Sequence, residues 1–361
     1  MKLKGMKIAV GMSGGVDSSV AAWLLKRDGH DVTGMTMKLW AGGPGGPVRK
    51  SACFGPDEAG DIEAARKVCA HIGIPYSVID CAAGYEDLVL RYFREEYLSG
   101  KTPNPCVRCN QLVKFGMLPR LAKEAGLAFD RFATGHYARV EPDARTGRFL
   151  LKRAVDSRKD QSYFLYRLSQ EQLASTLFPL GGFTKVQVRR MAAEAGLPVV
   201  DRKESQDFYG GDPADLIGLE DREGDIVDRQ GRVLGKHRGY WNYTIGQRKG
   251  LGIAHPVPLY VLGIDAARNR LVVGPEAETF KRSCVASDCN WSAFDILEAE
   301  MSAQVKVRSA GKLVAAVISP VEGGRTMVRF AEPVSAVTPG QSVVFYDGDV
   351  LVGGGVIESA D

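Results

Sequence analysis

Hydrophobic and polar positions along this chain fall into two regimes. Up to about Gly210, short apolar runs alternate with stretches whose apolar residues recur every three or four positions. Lys7–Met12, Asp31–Met37, Tyr76–Asp80 and Arg131–Thr134 read as strands, and Ser18–Asp28, Asp61–Ile72, Tyr85–Leu98 and Gln111–Ala125 as helices. This alternation predicts an α/β N-terminal domain with a doubly wound parallel sheet, which binds ligands beyond the carboxyl ends of its strands. Beyond Gly210 the period changes. Asp225–Leu234 reads as a hairpin about Gln230-Gly231. Gln304–Arg308, Leu313–Ser319, Met327–Phe330 and Val343–Tyr346 read as strands, followed by an Asp347-Gly348 turn into Val350–Val352. No helical pattern separates them, so a C-terminal antiparallel β-barrel is expected after a small mixed central domain. The expected domains are 1–210, 211–278 and 279–361. The Gly- and Pro-rich patch Gly42–Pro47 is a predicted mobile loop.

The length, 361 residues with 45% hydrophobic and 25% charged, fits two or three globular domains. No apolar run approaches the roughly 20 residues that cross a bilayer. Met1–Lys7 leads into the first strand with no long apolar segment or small-residue cleavage site, so a cytoplasmic location without a membrane partner is expected. A formal charge of +4 permits a polyanionic partner without requiring one. Basic residues cluster from Arg145 to Arg167 and from Lys236 to Gly250, which is either solvated surface or a nucleic-acid footprint. The cysteines are Cys53, Cys69, Cys81, Cys106, Cys109, Cys284 and Cys289, an odd set that a reducing compartment leaves unpaired. Cys69 shares a helix face with Ile62, Ala65 and Ile72 and reads as core.

The first chemical motif is Gly11-Met12-Ser13-Gly14-Gly15-Val16-Asp17-Ser18-Ser19, between a predicted strand and a helix. Its glycines let backbone N–H groups approach an anion, and the helix N-terminus adds partial positive charge. Ser13, Ser18 and Ser19 supply hydroxyls, and Asp17 is a candidate magnesium ligand. No Gly-Lys-Ser/Thr follows, so the loop is not a Walker A motif. It is similar to the pyrophosphate loop of ATP pyrophosphatases, which split ATP into AMP and pyrophosphate while adenylating a substrate oxygen. The second motif is Thr102-Pro103-Asn104-Pro105-Cys106-Val107-Arg108-Cys109-Asn110, ahead of an apolar helix expected near Leu112. Arg108 and the helix N-terminus are expected to lower a thiol pKa there. A lone CxxC also reads as half of a zinc site or as two surface thiols.

Together with ATGHYARV (133–140), SRKDQSYFLY (157–166), LFPLGG (177–182), GQRKGLGI (246–253) and VTPGQSVVFY (337–346), these motifs cover nearly the whole chain. In that order the chain resembles the tRNA-specific 2-thiouridylase family. The resemblance implies a catalytic domain of the pyrophosphate-loop ATPase type, with a central domain and a β-barrel that help to hold tRNA. It implies an ATP site formed by Gly11, Met12, Ser13, Gly14, Gly15, Val16, Asp17, Ser18, Met37 and Gly135. Cys109 matches the nucleophilic cysteine; Cys106, Asn104 and Pro105 would lie beside the target base. His136, Lys159, Asp160, Gln161, Arg308, Ser309 and Gln341 match tRNA-contacting positions. ATP with Mg2+ is the implied cofactor, and a persulfide donor protein or sulfide is the implied sulfur source.

The chain departs from that pattern at one place. Many relatives carry a second catalytic cysteine in a stretch that corresponds to Glu204–Gly211 here, and Tyr209 occupies its position. No cysteine lies between Asn110 and Ser283. Either Cys106 and Cys109 act as a pair, or they ligate an iron–sulfur cluster with Cys53 as third ligand. Rival readings are another adenylating enzyme, lysidine-forming or amidotransferase-type, which needs no thiol, and a non-catalytic tRNA-binding protein, which needs no pyrophosphate loop.

Overall fold

The computed structural model describes residues 5–42, 52–202, 207–209 and 213–361. Most of Gly42–Pro47 and of Glu204–Gly211 lies outside the described residues. The chain forms two compact units. The first comprises residues 1–89, 106–212 and 349–352, and the second residues 90–105, 213–348 and 353–361.

The first unit is built on a parallel sheet. Strand β1 (Lys7–Gly11) pairs on one side with β2 (Asp31–Lys38) and on the other with the strand Arg131–Thr134. β2 continues to the strand Tyr76–Asp80, and Arg131–Thr134 to the short Thr176–Leu177; every pairing is parallel. Ile8, Ala9 and Val10 are buried on both faces, as a central strand between two helical layers requires. Helix α1 (Val16–Arg27) buries Val20, Ala21, Leu24 and Leu25 in one apolar core with Ile8, Val68 and Cys69. Helix α2 (Glu58–Ile72) ends at Gly73, whose φ of +67° supplies the left-handed cap. After β1 the chain steps to one side of the sheet and later returns to the other, so a crevice opens where β1 and Arg131–Thr134 end side by side.

Boundaries moved by a few residues relative to the sequence pattern, and two helices proved composite. The region expected as Tyr85–Leu98 runs from Ala82 with a π-wound segment at Glu86–Leu90. The helix expected near Leu112 starts at Pro105 instead, and Cys109–Met117 is π-wound before the α-helical Leu118–Glu124. Pro105 suits a first helical turn because its missing N–H has no intrahelical acceptor there. The hairpin Ala138–Pro142/Phe149–Arg153 had no clear alternating signal.

In the second unit, the expected hairpin is present as Gly224–Val227 against Val233–His237. It extends through Arg270–Gly274 to Tyr260–Asp265 into a four-stranded mixed sheet. The antiparallel barrel runs in the order Phe280–Trp291, Arg325–Ser335, Val314–Val321, Met301–Lys306, Ser342–Asp347 and Val350–Ala360. Pairs from Cys284↔Ala360 to Trp291↔Gly353 close it. Val305, Ile318, Val328, Val343, Phe345 and Ile357 fill its interior. Closure pairs strand edges that an open sheet would offer to another chain. Among the described residues, no helix is long and apolar enough to cross a membrane.

Candidate active site

The crevice of the first unit holds a cleft of about 260 Å3. The loop between β1 and α1 forms one wall. Gly14 takes φ +71°, and a Cβ there would stand 2.5 Å from the Asp61 carbonyl oxygen and 2.9 Å from Arg202 Nη1, so no other residue fits. Gly135 closes the neighbouring strand end, where a Cβ would meet Ser18 N at 2.6 Å. Within the loop, Ser18 Oγ accepts from Ser13 N at 3.2 Å, and Ser19 Oγ donates to Gly15 O at 2.7 Å. All ten residues that the resemblance assigns to ATP line this one cleft: Gly11 to Ser18, Met37 and Gly135. So do His136, Gln161 and Cys53.

Asp17 is already engaged. Lys185 Nζ lies 2.7 Å and 2.8 Å from its two oxygens, and Tyr137 Oη donates to Oδ1 at 2.8 Å. Lys185 is 8% exposed and begins the helix Lys185–Glu194, which is held by a Thr184/Gln187 capping box. The Asp17 carboxylate therefore fits a magnesium ion poorly, because both of its oxygens already serve a buried cation.

Two more carboxylates line the cleft. Glu58 accepts the N–H groups of Leu39 at 2.6 Å and Trp40 at 3.0 Å, holding the chain beyond β2; burial outweighs these bonds and raises its pKa. Burial likewise raises Asp61, against the lowering influence of Arg202.

The cysteine segment adjoins two residues of the cleft lining, since Cys109 feels both Lys114 and Cys53. Burial pushes the Cys109 thiol up to about 11, against the lowering influence of Lys114, with Cys53 adding to the rise. This corrects the expectation of a lowered thiol: Cys109 sits inside a continuous helix that starts at Pro105, not at the solvated first turn of one starting near Leu112. The buried Tyr85 phenol feels Cys109, Cys106, Cys53 and Glu58 together, and after the dominant effect of burial these raise its pKa further. The three cysteines thus share one neighbourhood. Among the described residues, no three His, Cys, Asp or Glu side chains are placed to hold one metal ion. Phe54, beside Cys53, packs on Trp40, Tyr85 and Tyr209 with ring centroids 5.1, 5.0 and 6.0 Å apart, and Tyr209 is 4% exposed.

Burial and the charge of Lys114 hold the His136 imidazole well below its ordinary pKa, so it is neutral. Its Nδ1 is 2.8 Å from Thr134 Oγ1. Gln161 Oε1 accepts from Tyr137 N at 2.9 Å. Lys159 is partly exposed, while the Asp160 carboxylate faces inward, accepting from Ala154 N, Ser162 N and Ser162 Oγ. In the second unit, Gln341 Nε2 donates to the carbonyls of Thr102 at 3.2 Å and Pro103 at 2.8 Å, ahead of the buried Asn104 and Pro105. Lys306 Nζ donates to Ser309 O at 3.2 Å, next to Arg308. Sequence reasoning missed Lys114, Tyr137, Lys185, Arg202, Glu58 and Asp61. Only Lys185 had a local signal, the Thr184-x-x-Gln187 helix start, and that says nothing of the distant Asp17.

A glycine loop feeding a helix at the switch point of a parallel sheet, in a cleft that Cys53 also lines, defines a nucleotide-binding enzyme of the pyrophosphate-loop class. The model for the tRNA methyl transferase HUP domain matches residues 6–209, that for the tRNA methyl transferase PRC-barrel domain residues 218–275, and that for the aminomethyltransferase beta-barrel domain residues 281–357. The chain is 47% identical to the tRNA-specific 2-thiouridylase MnmA of Endomicrobium trichonymphae over 356 residues, covering 98% of this chain and 99% of that protein. Its counterpart in Geotalea uraniireducens is 48% identical (99% and 96% covered), and one in Caldanaerobacter subterraneus subsp. tengcongensis is 45% identical (98% of each). The chain belongs to the tRNA-specific 2-thiouridylase family.

Proposed function

We propose that this chain activates the wobble uridine of a tRNA with ATP and replaces its 2-oxygen with sulfur, making it a tRNA-uridine 2-sulfurtransferase. The observation that carries the reading is a single cleft lined by the SGGVDS loop together with Cys53 and Lys114, both of which act on the neighbouring Cys109. Phosphates on the loop and a base carbon near the thiols would place the two reacting ends in one site. The uridine 2-oxygen bonds to the α-phosphorus, pyrophosphate leaves, and the N3 proton passes to solvent. A hydrosulfide sulfur then bonds to C2. It is supplied as sulfide or freed from a Cys109 persulfide when the Cys106 thiolate attacks the Cys109 sulfur, breaking the S–S bond and leaving a Cys106–Cys109 disulfide that an external thiol reduces. AMP departs with the electron pair of the C2–O bond, and the sulfur's proton returns to N3. Adenylation is needed because a carbonyl oxygen is otherwise a very poor leaving group.

Cys109, with Cys106 as its partner, is our candidate for delivering the sulfur; Tyr209 leaves no second cysteine at the position where many relatives carry one. The sulfur source is a persulfide donor protein or sulfide. Magnesium would enter with the phosphates of ATP, as is usual where a protein offers no cage of its own. Lys159, Gln161, Arg308 and Gln341 are assigned to tRNA by family likeness, as are Asn104 and Pro105 to the target base, and an intracellular, cytoplasmic setting follows from that substrate. The domain division 1–210, 211–278 and 279–361 is kept as part of this reading.

The test is thiolation of unmodified tRNA with ATP, magnesium and sulfide, read by nucleoside mass spectrometry. Formation of 2-thiouridine that is lost in Cys109→Ala supports the assignment. Equal product from Cys109→Ala removes Cys109 from the chemistry, and no AMP or pyrophosphate from the wild type overturns adenylation.

A further inference from the structure

Cys53 has no part in the sulfur chemistry above, yet its surroundings set it apart. Of the seven cysteines, all among the described residues, it alone is exposed; Cys106, Cys109 and Cys289 are partly covered and the rest are buried. Among the described residues it is also the one cysteine that lines the nucleotide cleft, together with Lys114 and the SGGVDS loop.

Local structure accounts for that placement. The strand Ala52–Phe54 pairs in parallel with Asp207–Tyr209, in the register Ala52↔Asp207 and Phe54↔Tyr209. Side chains alternate along a strand, so Phe54 turns inward to the Trp40, Tyr85 and Tyr209 rings while Cys53 takes the opposite face and lines the cleft. Tyr209 holds the position of the second cysteine that many relatives carry, and Cys53 stands on the strand paired with it. Phe54 also ties this strand to Tyr85, whose phenol feels Cys109, Cys106 and Cys53 together. Cys109 in turn feels both Lys114 and Cys53.

A persulfide arriving from solution meets an exposed thiol before a covered one, because access and thiolate fraction both limit exchange. Cys109 is partly covered and burial holds its thiol at about 11, so it is a poor point of entry. A transfer from a neighbouring thiol within the same molecule is different. There a high effective concentration offsets a small thiolate fraction, and Lys114 favours that thiolate.

We propose that Cys53 takes the outer sulfur of a donor persulfide and passes it to Cys109. This rests on the reading of Cys109 as the sulfur carrier and adds the thiol through which sulfur enters. The Cys53 thiolate attacks the outer sulfur, and the electron pair of the broken S–S bond leaves with the donor thiolate. The Cys109 thiolate then attacks the outer sulfur now on Cys53. That S–S bond breaks, its electron pair stays on Cys53, and Cys53 regains from solvent the proton that Cys109 gave up. Each step exchanges one S–S bond for another, so no oxidant or reductant is consumed.

The test is a brief pulse of glutathione persulfide on the full-length protein without ATP or tRNA, quenched with iodoacetamide and read by peptide mass spectrometry. In the wild type, persulfide is expected on Cys53 first and on Cys109 later. Cys109→Ser should hold the sulfur on Cys53, and Cys53→Ser should slow the loading of Cys109 roughly tenfold or more. A Cys53 that only packs in its strand would carry no persulfide. Equal loading of Cys109 in the wild type and Cys53→Ser overturns the relay but leaves Cys109 as the carrier. Persulfide that reaches Cys53 and never Cys109 overturns the carrier reading as well, so the two failures are distinct. Should Cys53→Ser fold poorly, Cys109→Ser decides: no persulfide on its Cys53 overturns the proposal.

Discussion

Reactivity of Cys109 in the absence of substrates should be low and should rise steeply with pH. Burial places its thiol at about 11, against an ordinary value of 9.0. The thiolate is the nucleophile, and each unit of pKa is a tenfold change in its population. At pH 8 an ordinary thiol is about one-tenth ionised, whereas Cys109 would be ionised to about one part in a thousand. The expected alkylation rate by iodoacetamide is therefore roughly 100-fold below that of an ordinary thiol at pH 8, climbing about tenfold per pH unit with no plateau below pH 10. Peptide-level mass spectrometry separates Cys109 from the exposed Cys53, which should be labelled first. Lys114→Met removes the neighbour that favours the thiolate, so Cys109 labelling should slow further at every pH. A Cys109 plateau near pH 8, or no effect of Lys114→Met, would refute the claim that burial dominates and Lys114 opposes it.

Gly14→Ala should weaken ATP binding at least tenfold by calorimetry, because a left-handed backbone costs about 1–2 kcal/mol before the clash with Asp61 is counted. Lys185→Met leaves Asp17 without its cation; a buried broken pair costs about 3–5 kcal/mol, and with Asp17 27% exposed we expect roughly half of that by chemical denaturation. Tyr137→Phe removes one bond to the same carboxylate and should cost about 1 kcal/mol. Tyr209→Cys should destabilise by about 2–4 kcal/mol through the lost ring packing on Phe54, measured the same way.

The parallel sheet was legible because short strand-like stretches, such as the apolar Ile8-Ala9-Val10 of β1, alternate with segments whose apolar residues recur every three or four positions. The barrel was legible from period-two alternation, except Phe280–Trp291, whose pattern is interrupted by irregular pairing at Lys281/Ser283 and again between Ser287 and Asn290. Short range also sufficed for the loop, since SGGVDS carries its own strand, turn and helix start. What the sequence hid were the partners of that loop. Lys185 and Arg202 lie 168 and 188 residues from the groups they bond, and no local pattern records such a pairing. The thiol's ionisation was misjudged for a related reason: it depended on where the helix begins, and a Pro105 start was not distinguished from a Leu112 start.

The π winding of Cys109–Met117 bears on how the thiol meets its cation. In a regular α-helix, residues five apart are turned about 140° from one another and face different surroundings. Bonding from one residue to the fifth beyond it, as Leu118 N does to Val113 O at the end of this segment, brings such residues toward one face. Cys109 and Lys114 are five apart, and Lys114 both lines the cleft and acts on the Cys109 thiol. The same winding turns Val113 and Phe115 into the core, where Phe115 packs on Phe132 and His136 at ring separations of 5.6 and 5.8 Å. A straight α-helix through these residues would force a choice between the Lys114 position and that packing. The winding lets one short segment satisfy both, and the cation therefore stays beside the thiol even though burial disfavours the charge it would stabilise.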